Sequence, residues 1–129
     1  MIYNIYMKLY ESAEDYLEQI LILSNKNGSV HSIDIAKSLN FSKPSVSVAM
    51  HKLRDNGYII IENDGNIVLT EEGRKIASSV YERHVLISEA LMSIGVSKEQ
   101  ALIDACKIEH DISIETFEAL KKVIKENDK

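Results

Sequence analysis

The chain has one cysteine, one proline, five glycines and no tryptophan in 129 residues. A lone Cys106 cannot close an internal disulfide, so a reducing cytoplasm is the expected location and the thiol is free for chemistry. Scarce proline and glycine mean few turns and a largely helical chain. No apolar run approaches the ~18 residues that a membrane-spanning helix needs, so no membrane partner is expected. The opening Met1-Ile-Tyr-Asn-Ile-Tyr-Met7 lacks the basic stretch and small-residue cleavage site of a secretory signal. With 45% apolar residues the chain is not disordered. Its length allows one ordinary domain, or two small ones sharing a core.

The net charge of −5 argues against a uniformly basic nucleic-acid coat. The charge is unevenly distributed, however. Residues 26–60 carry Lys26, Lys37, Lys43, Lys52 and Arg54 against Asp34 and Asp55, a local balance of +3, which leaves −8 for the remainder. An acidic protein with one basic section suits a local DNA-binding face.

Residues 1–11 carry Tyr3, Tyr6 and Tyr10 without a clear period and read as an extension. Ser12-x-x-Asp15 resembles a capping box and predicts a helix to about Asn25, stopped by Asn27-Gly28. Ala13, Tyr16, Leu17 and Ile20 form its apolar stripe. A short helix is expected over Ser32–Leu39, then a tight Asn40-Phe41-Ser42 connection. Ser42 can cap a third helix, with Pro44 tolerated in its first turn. Val46, Ala49, Met50 and Leu53 give that helix its buried face, and Asn56-Gly57 ends it. The period then changes. Tyr58–Glu62 and Asn66–Thr70 are β-branched runs around Asn63-Asp64-Gly65, which predicts a hairpin. Thr70 should cap a long helix to about Ile94, with Gly95 as its stop. Further helices are expected from Ser97 to about His110, and from Ser113 to about Glu126 with Phe117, Leu120 and Ile124 inward.

Two short helices joined by a tight turn and followed by a two-stranded hairpin make a winged helix-turn-helix. The exposed side of the second helix carries Ser42, Lys43, Pro44, Ser45, Ser47, Val48, His51 and Lys52. Small hydroxyls and lysines there can enter a major groove and touch phosphates, which makes double-stranded DNA the expected partner. The hairpin would lie along the backbone or minor groove. Small winged helices also serve as protein-interaction modules, so the pattern alone leaves that alternative open.

Polar residues on apolar helix faces call for an explanation, because burying an unpaired charge is costly. His84 interrupts the stripe Ile76, Val80, Ile87, Leu91 and Ile94. Cys106, Glu109 and His110 are spaced i, i+3, i+4, so a thiol, a carboxylate and an imidazole converge beside Leu102 and Ala105. Asp15, Glu18 and Ile22 form a second stripe on the first helix. Each residue has a plainer reading: His84 as a satisfied core group, Cys106 as core, Glu109 and Glu18 as surface charges, His110 as a helix-terminal cation, Asp15 as the partner of Ser12. Taken together, three helices that each place hard or borderline donors on an inward face point to a metal site.

These residues resemble the diphtheria-toxin-repressor and manganese-transport-regulator family of metal-dependent transcriptional repressors. The resemblance runs from Asp15 to at least His110. It rests on Glu14-Asp-Tyr-Leu-Glu-Gln-Ile20, the helix-turn-helix with Ser42-Lys-Pro-Ser-Val46, Leu69-Thr-Glu-Glu-Gly73, Tyr81-Glu-Arg-His84, Ile94-Gly-Val96 and Cys106-Lys-Ile-Glu-His110. By position it implies metal ligands at Asp15, Glu18, His84, Cys106, Glu109 and His110. It further implies a homodimer through the C-terminal helices, metal that bridges the DNA-binding and dimerisation halves, and a palindromic operator near metal-uptake genes.

The match is a hybrid. Asp15 and Glu18 are similar to the manganese branch, whereas Cys106 is similar to the iron branch, the manganese branch usually having Glu there. Brevity, with no SH3-like third domain, again resembles the manganese branch. Where the iron branch has further ligands of an ancillary site, this chain has Ser88 and Leu102. A soft thiolate disfavours Mn²⁺ relative to Fe²⁺, Co²⁺, Ni²⁺ or Zn²⁺, so Fe²⁺ is the first expectation and Mn²⁺ the second.

The expected fold class is mainly α with a small β-wing. A winged helix-turn-helix over residues 1–72 precedes a helical metal-binding and dimerisation domain over 73–129. No enzymatic activity and no small-molecule substrate are expected. The competing readings are a winged-helix repressor that senses a small organic ligand and a metalloenzyme whose Cys/His/Glu site activates water.

Overall fold

The computed structural model describes the backbone of residues 2–127 and the side chains of residues 12–126. It has six helices and one hairpin among these residues: α1 (Ile2–Asn27), α2 (Ser32–Leu39), α3 (Lys43–Asp55), β1 (Ile59–Ile61), β2 (Ile67–Leu69), α4 (Glu71–Ser93), α5 (Lys98–Ile108) and α6 (Ile114–Asn127). The chain is therefore mainly α with a small antiparallel wing, as its sequence pattern implies. It divides into two compact units, Met1–Ser78 and Ser79–Lys129, with α4 running from the first into the second.

In the first unit, α1 buries Tyr16, Leu17 and Ile20 against Ile35 of α2 and Val46, Met50 and Leu53 of α3. The expected start of α1 at Ser12 is corrected: the helix begins at Ile2 and passes through Ser12 without a cap. No glycine or proline interrupts residues 2–11, so a helix held by the buried turns from Ala13 onward propagates upstream one hydrogen bond at a time. The side chains of Tyr3, Tyr6 and Tyr10 lie outside the described ones. At its other end α1 stops at Gly28, whose φ of +80° is the left-handed conformation that favours glycine.

The turn between α2 and α3 behaves as its residues demand. Asn40 takes the left-handed conformation, and Phe41 N–H donates to Ala36 O at 3.0 Å. Ser42 caps α3 by accepting from Ser45 N–H at 3.3 Å, with Pro44 in the first turn where no donor is needed. After α3, the hairpin pairs Ile59 with Leu69 and Ile61 with Ile67, placing these four on the core side. Val30 adds an edge the sequence pattern does not announce: its carbonyl accepts from Ile67 N–H at 2.7 Å, and its own N–H donates to Asn66 Oδ1 at 2.9 Å. The hairpin is thereby tied on one side to the loop before α2.

Thr70 joins the hairpin to α4. Its hydroxyl donates to Gly57 O at 2.7 Å and accepts from Gly73 N–H at 3.2 Å, while its N–H donates to Tyr58 O. In the second unit, α4 buries Val80, Leu86, Ile87 and Ser88, α5 buries Ala101 and Ala105, and α6 buries Phe117. Ile94, read as the end of the α4 stripe, lies beyond the helix and is exposed, because the chain turns at Gly95. Ser97 and Ser113 each accept a hydrogen bond from the N–H three residues on, at 3.3 Å and 3.1 Å, which starts α5 and α6. Among the described residues no helix is long and apolar enough to cross a membrane.

Candidate metal centre and DNA-facing helix

Within the second unit, α4 and the C-terminal end of α5 bring three donor types together. His84 sits on α4, Cys106 on the last turn of α5, and Glu109 at its C-cap. His84 Nδ1 lies 2.9 Å from Glu109 Oε2 and 3.7 Å from Cys106 Sγ. One donor atom from each of the three falls within 4.8 Å of the others. His110 Nε2 is 3.5 Å from the second oxygen of the same carboxylate.

Glu109 is the anchor of this cluster. Its side chain is 0% exposed, and Oε1 accepts no hydrogen bond from the described residues. A buried carboxylate in that state is costly unless a positive charge faces it. His84 faces it directly. Its pKa is pushed up to about 10, by the hydrogen bond with Cys106 first and that with Glu109 second, against the lowering effect of burial. Arg83 holds the backbone at the same point, donating from Nη1 to Glu109 O at 3.0 Å. This contact fixes the end of α5 and hence the direction in which the Glu109 carboxylate leaves the helix.

The donor set fits a divalent transition metal. An imidazole, a buried carboxylate and a thiol on one side of a helix pair are the ligand types of such ions. Cys106 is less enclosed than the periodicity suggests: it is exposed, as is Leu102 on the same helix. An exposed thiol beside a buried carboxylate leaves the cluster open on one side, where an ion can enter. Ser88 is buried and donates its hydroxyl to Val85 O, so it is spent on the helix itself.

Of the remaining candidates, Asp15 and Glu18 lie on α1 in the first unit, Asp15 half-buried and Glu18 buried. A buried Glu18 on the face away from Leu17 and Ile20 agrees with a helix packed on more than one side. Arg83 was not identified as a positioning group by the sequence pattern. The only signal was its place before His84 in Tyr81-Glu-Arg-His84, since bonding to a backbone carbonyl leaves no trace in residue type.

The first unit presents the second candidate surface. Ser42, Lys43, Pro44, Ser45, Ser47, Val48, His51 and Lys52 are all exposed, while Val46, Met50 and Leu53 on the opposite side of α3 are buried. The helix N-terminus and two lysines therefore face solvent together. The hairpin brings Glu62 and Asp64 and no cation, so the positive charge available to a polyanion in this region comes from α3 rather than from the wing.

Residues 8–67 match the iron-dependent repressor N-terminal DNA-binding domain, and residues 70–129 match the iron-dependent repressor metal-binding and dimerisation domain. The chain is 40% identical over 102 residues to the HTH-type transcriptional regulator MntR of Geobacillus kaustophilus, covering 79% of this chain and 72% of that one. It is 34% identical over 119 residues to MntR of Lysinibacillus sphaericus, covering 90% and 86%. Among solved structures it is similar to the manganese regulator SloR, with a TM-score of 0.78 and 30% identity over 88% of this chain. The match covers 53% of the SloR chain, so this chain spans about half the length of that relative.

Proposed function

The chain belongs to the family of iron-dependent repressors and MntR-type regulators, and on that basis we propose that it is a metal-dependent transcriptional repressor rather than an enzyme. It binds operator DNA as a homodimer when loaded with a divalent transition metal, Fe²⁺ or Mn²⁺, and controls genes of metal uptake or homeostasis in the cytoplasm. One observation carries this reading: a single chain joins a helix-turn-helix with an exposed cationic helix to a unit in which His84, Cys106 and Glu109 converge.

The proposed ligands are Asp15, Glu18, His84, Cys106, Glu109 and His110. The proposed DNA contacts are Ser42, Lys43, Pro44, Ser45, Ser47, Val48, His51 and Lys52. The functional division falls between residues 1–72 and 73–129. His84, Cys106 and Glu109 lie close enough for one ion, which supports their part of the set. Asp15 and Glu18 rest on the family resemblance. Ligands drawn from both halves restrict the orientations those halves can adopt, so ligation shifts the population toward the DNA-binding arrangement. Two recognition helices about 34 Å apart, one DNA turn, match a palindrome. The exposed apolar residues Ile103 of α5 and Ile114 and Val123 of α6 support a dimer through the C-terminal helices.

The test is metal analysis of protein purified without oxygen, paired with duplex binding in Fe²⁺, Mn²⁺, Co²⁺, Zn²⁺ and chelator, and light scattering at micromolar concentration. Metal-stimulated binding by a dimer is expected. Binding that ignores chelator, or a monomer under all conditions, contradicts the proposal.

A further inference from the structure

Val48 breaks the pattern of the exposed face of α3. Ser45 lies one turn before it, His51 and Lys52 one turn after, and all three are exposed polar residues. Val48 is 56% exposed and is the only large hydrophobic residue of α3 left so, Val46 and Met50 being buried. Val48 borders a shallow recess shared with Ala13 and Tyr16 of α1, yet more than half of its surface remains in water, so packing there does not account for the residue in full. A β-branched residue is a weaker helix former than alanine or lysine, and leaving it in water forgoes the gain from burial.

In the proposed complex this face enters the major groove. Valine has no hydrogen-bond donor or acceptor, so it cannot read the amino, carbonyl or ring-nitrogen edges there. The apolar group that a base offers in that groove is the 5-methyl of thymine. Lys52 stands about one turn after Val48 and Lys43 opens α3, so phosphate contacts by both would set the register of the helix and bring Val48, which points directly away from the buried Val46, Met50 and Leu53, to the base edges. We propose that Val48 is a specificity-determining residue that packs on a thymine 5-methyl group, once in each half-site of a symmetric operator. The inference rests on the DNA-binding reading above and refines it: it assigns sequence discrimination to an apolar contact on a face otherwise made of hydroxyls and cations.

The experiment uses the full chain loaded with Mn²⁺. A duplex is first selected from a random-sequence library. Each symmetric pair of thymines in it is then replaced by uracil, which deletes the methyl and leaves the pairing edge intact. Affinities are measured for wild type and Val48→Ala, a substitution at an exposed site that favours the helix. One thymine pair is expected at which uracil weakens wild type about fourfold per half-site, from the free energy of burying one methyl group. At that pair Val48→Ala should lose less than about twofold. The assignment is overturned if no thymine pair shows a uracil penalty that depends on Val48, or if Val48→Ala binds the selected duplex as tightly as wild type. If wild type retains no duplex at all, the DNA-binding reading itself fails, a result distinct from selective binding without a Val48-dependent thymine.

Discussion

Replacing Gly73 by alanine sets two physical effects against each other. Gly73 is the third residue of α4, where alanine alone would stabilise the helix by about 1 kcal/mol. The surroundings forbid it. A Cβ placed at Gly73 would lie 2.0 Å from Tyr58 O and 3.0 Å from Tyr58 C, with Leu69 Cδ2 at 3.4 Å. Backbone oxygen cannot rotate away as a side chain can, so α4 and the start of the hairpin must separate by more than about 1 Å to restore ordinary contact. That movement strains the bonds that join them: Thr70 N–H to Tyr58 O, the Thr70 hydroxyl to Gly57 O, and Gly73 N–H to Thr70 Oγ1. Overpacking costs about 1–3 kcal/mol, and each weakened hydrogen bond about 0.5–1.5 kcal/mol. The net after the propensity gain is a loss of about 1.5–6.5 kcal/mol. Thermal unfolding followed by circular dichroism, at one protein concentration and with metal chelated so that binding does not mask stability, should show Gly73→Ala melting at least about 5 °C below wild type. An unchanged or raised Tm would refute the reasoning and leave helix propensity as the ruling effect.

Two further changes address the surfaces directly. Cys106→Glu replaces a soft sulfur by a hard oxygen at the same helix position. It should leave the fold intact and shift activation toward Mn²⁺ and away from softer ions, whereas an unchanged metal profile in the binding assay would show Cys106 to be inert. Lys43→Ala or Lys52→Ala should weaken binding to specific and random duplexes about equally and reduce the slope of log affinity against log salt by about one; altered sequence preference without that loss of slope would show that these lysines do not act on phosphates.

Local chemistry made most of the elements legible. Ser42, Ser97 and Ser113 cap the helices that follow them, Gly65 with φ of +88° turns the hairpin, and the buried residues of α3 fall on the positions its period marks. The start of α1 was not legible: Ser12-x-x-Asp15 has the form of a cap, but a cap is optional once a helix is already held by packing. Val30 pairing with the hairpin was invisible because one residue carries no period. The site divides in the same way. Helical spacing places Cys106, Glu109 and His110 near one another and puts His84 on an inward face of α4. It does not say how α4 and α5 are turned about their axes, and that rotation brings His84 Nδ1 to 2.9 Å from a carboxylate 25 residues away. Nor does period fix depth: Cys106 shares a face with buried Ala105 yet stays exposed near the helix end.

The claim that metal acts by drawing ligands from both halves of the chain is tested most directly at Glu18, which lies on α1, in a different unit from His84, Cys106 and Glu109. The measurement is duplex affinity with and without Mn²⁺ or Fe²⁺, for wild type and Glu18→Ala, with dimer state and helicity checked for both. The account predicts that Glu18→Ala remains a folded dimer with the basal, metal-free affinity of wild type and loses the metal-induced gain. A mutant that responds to metal as strongly as wild type would contradict it.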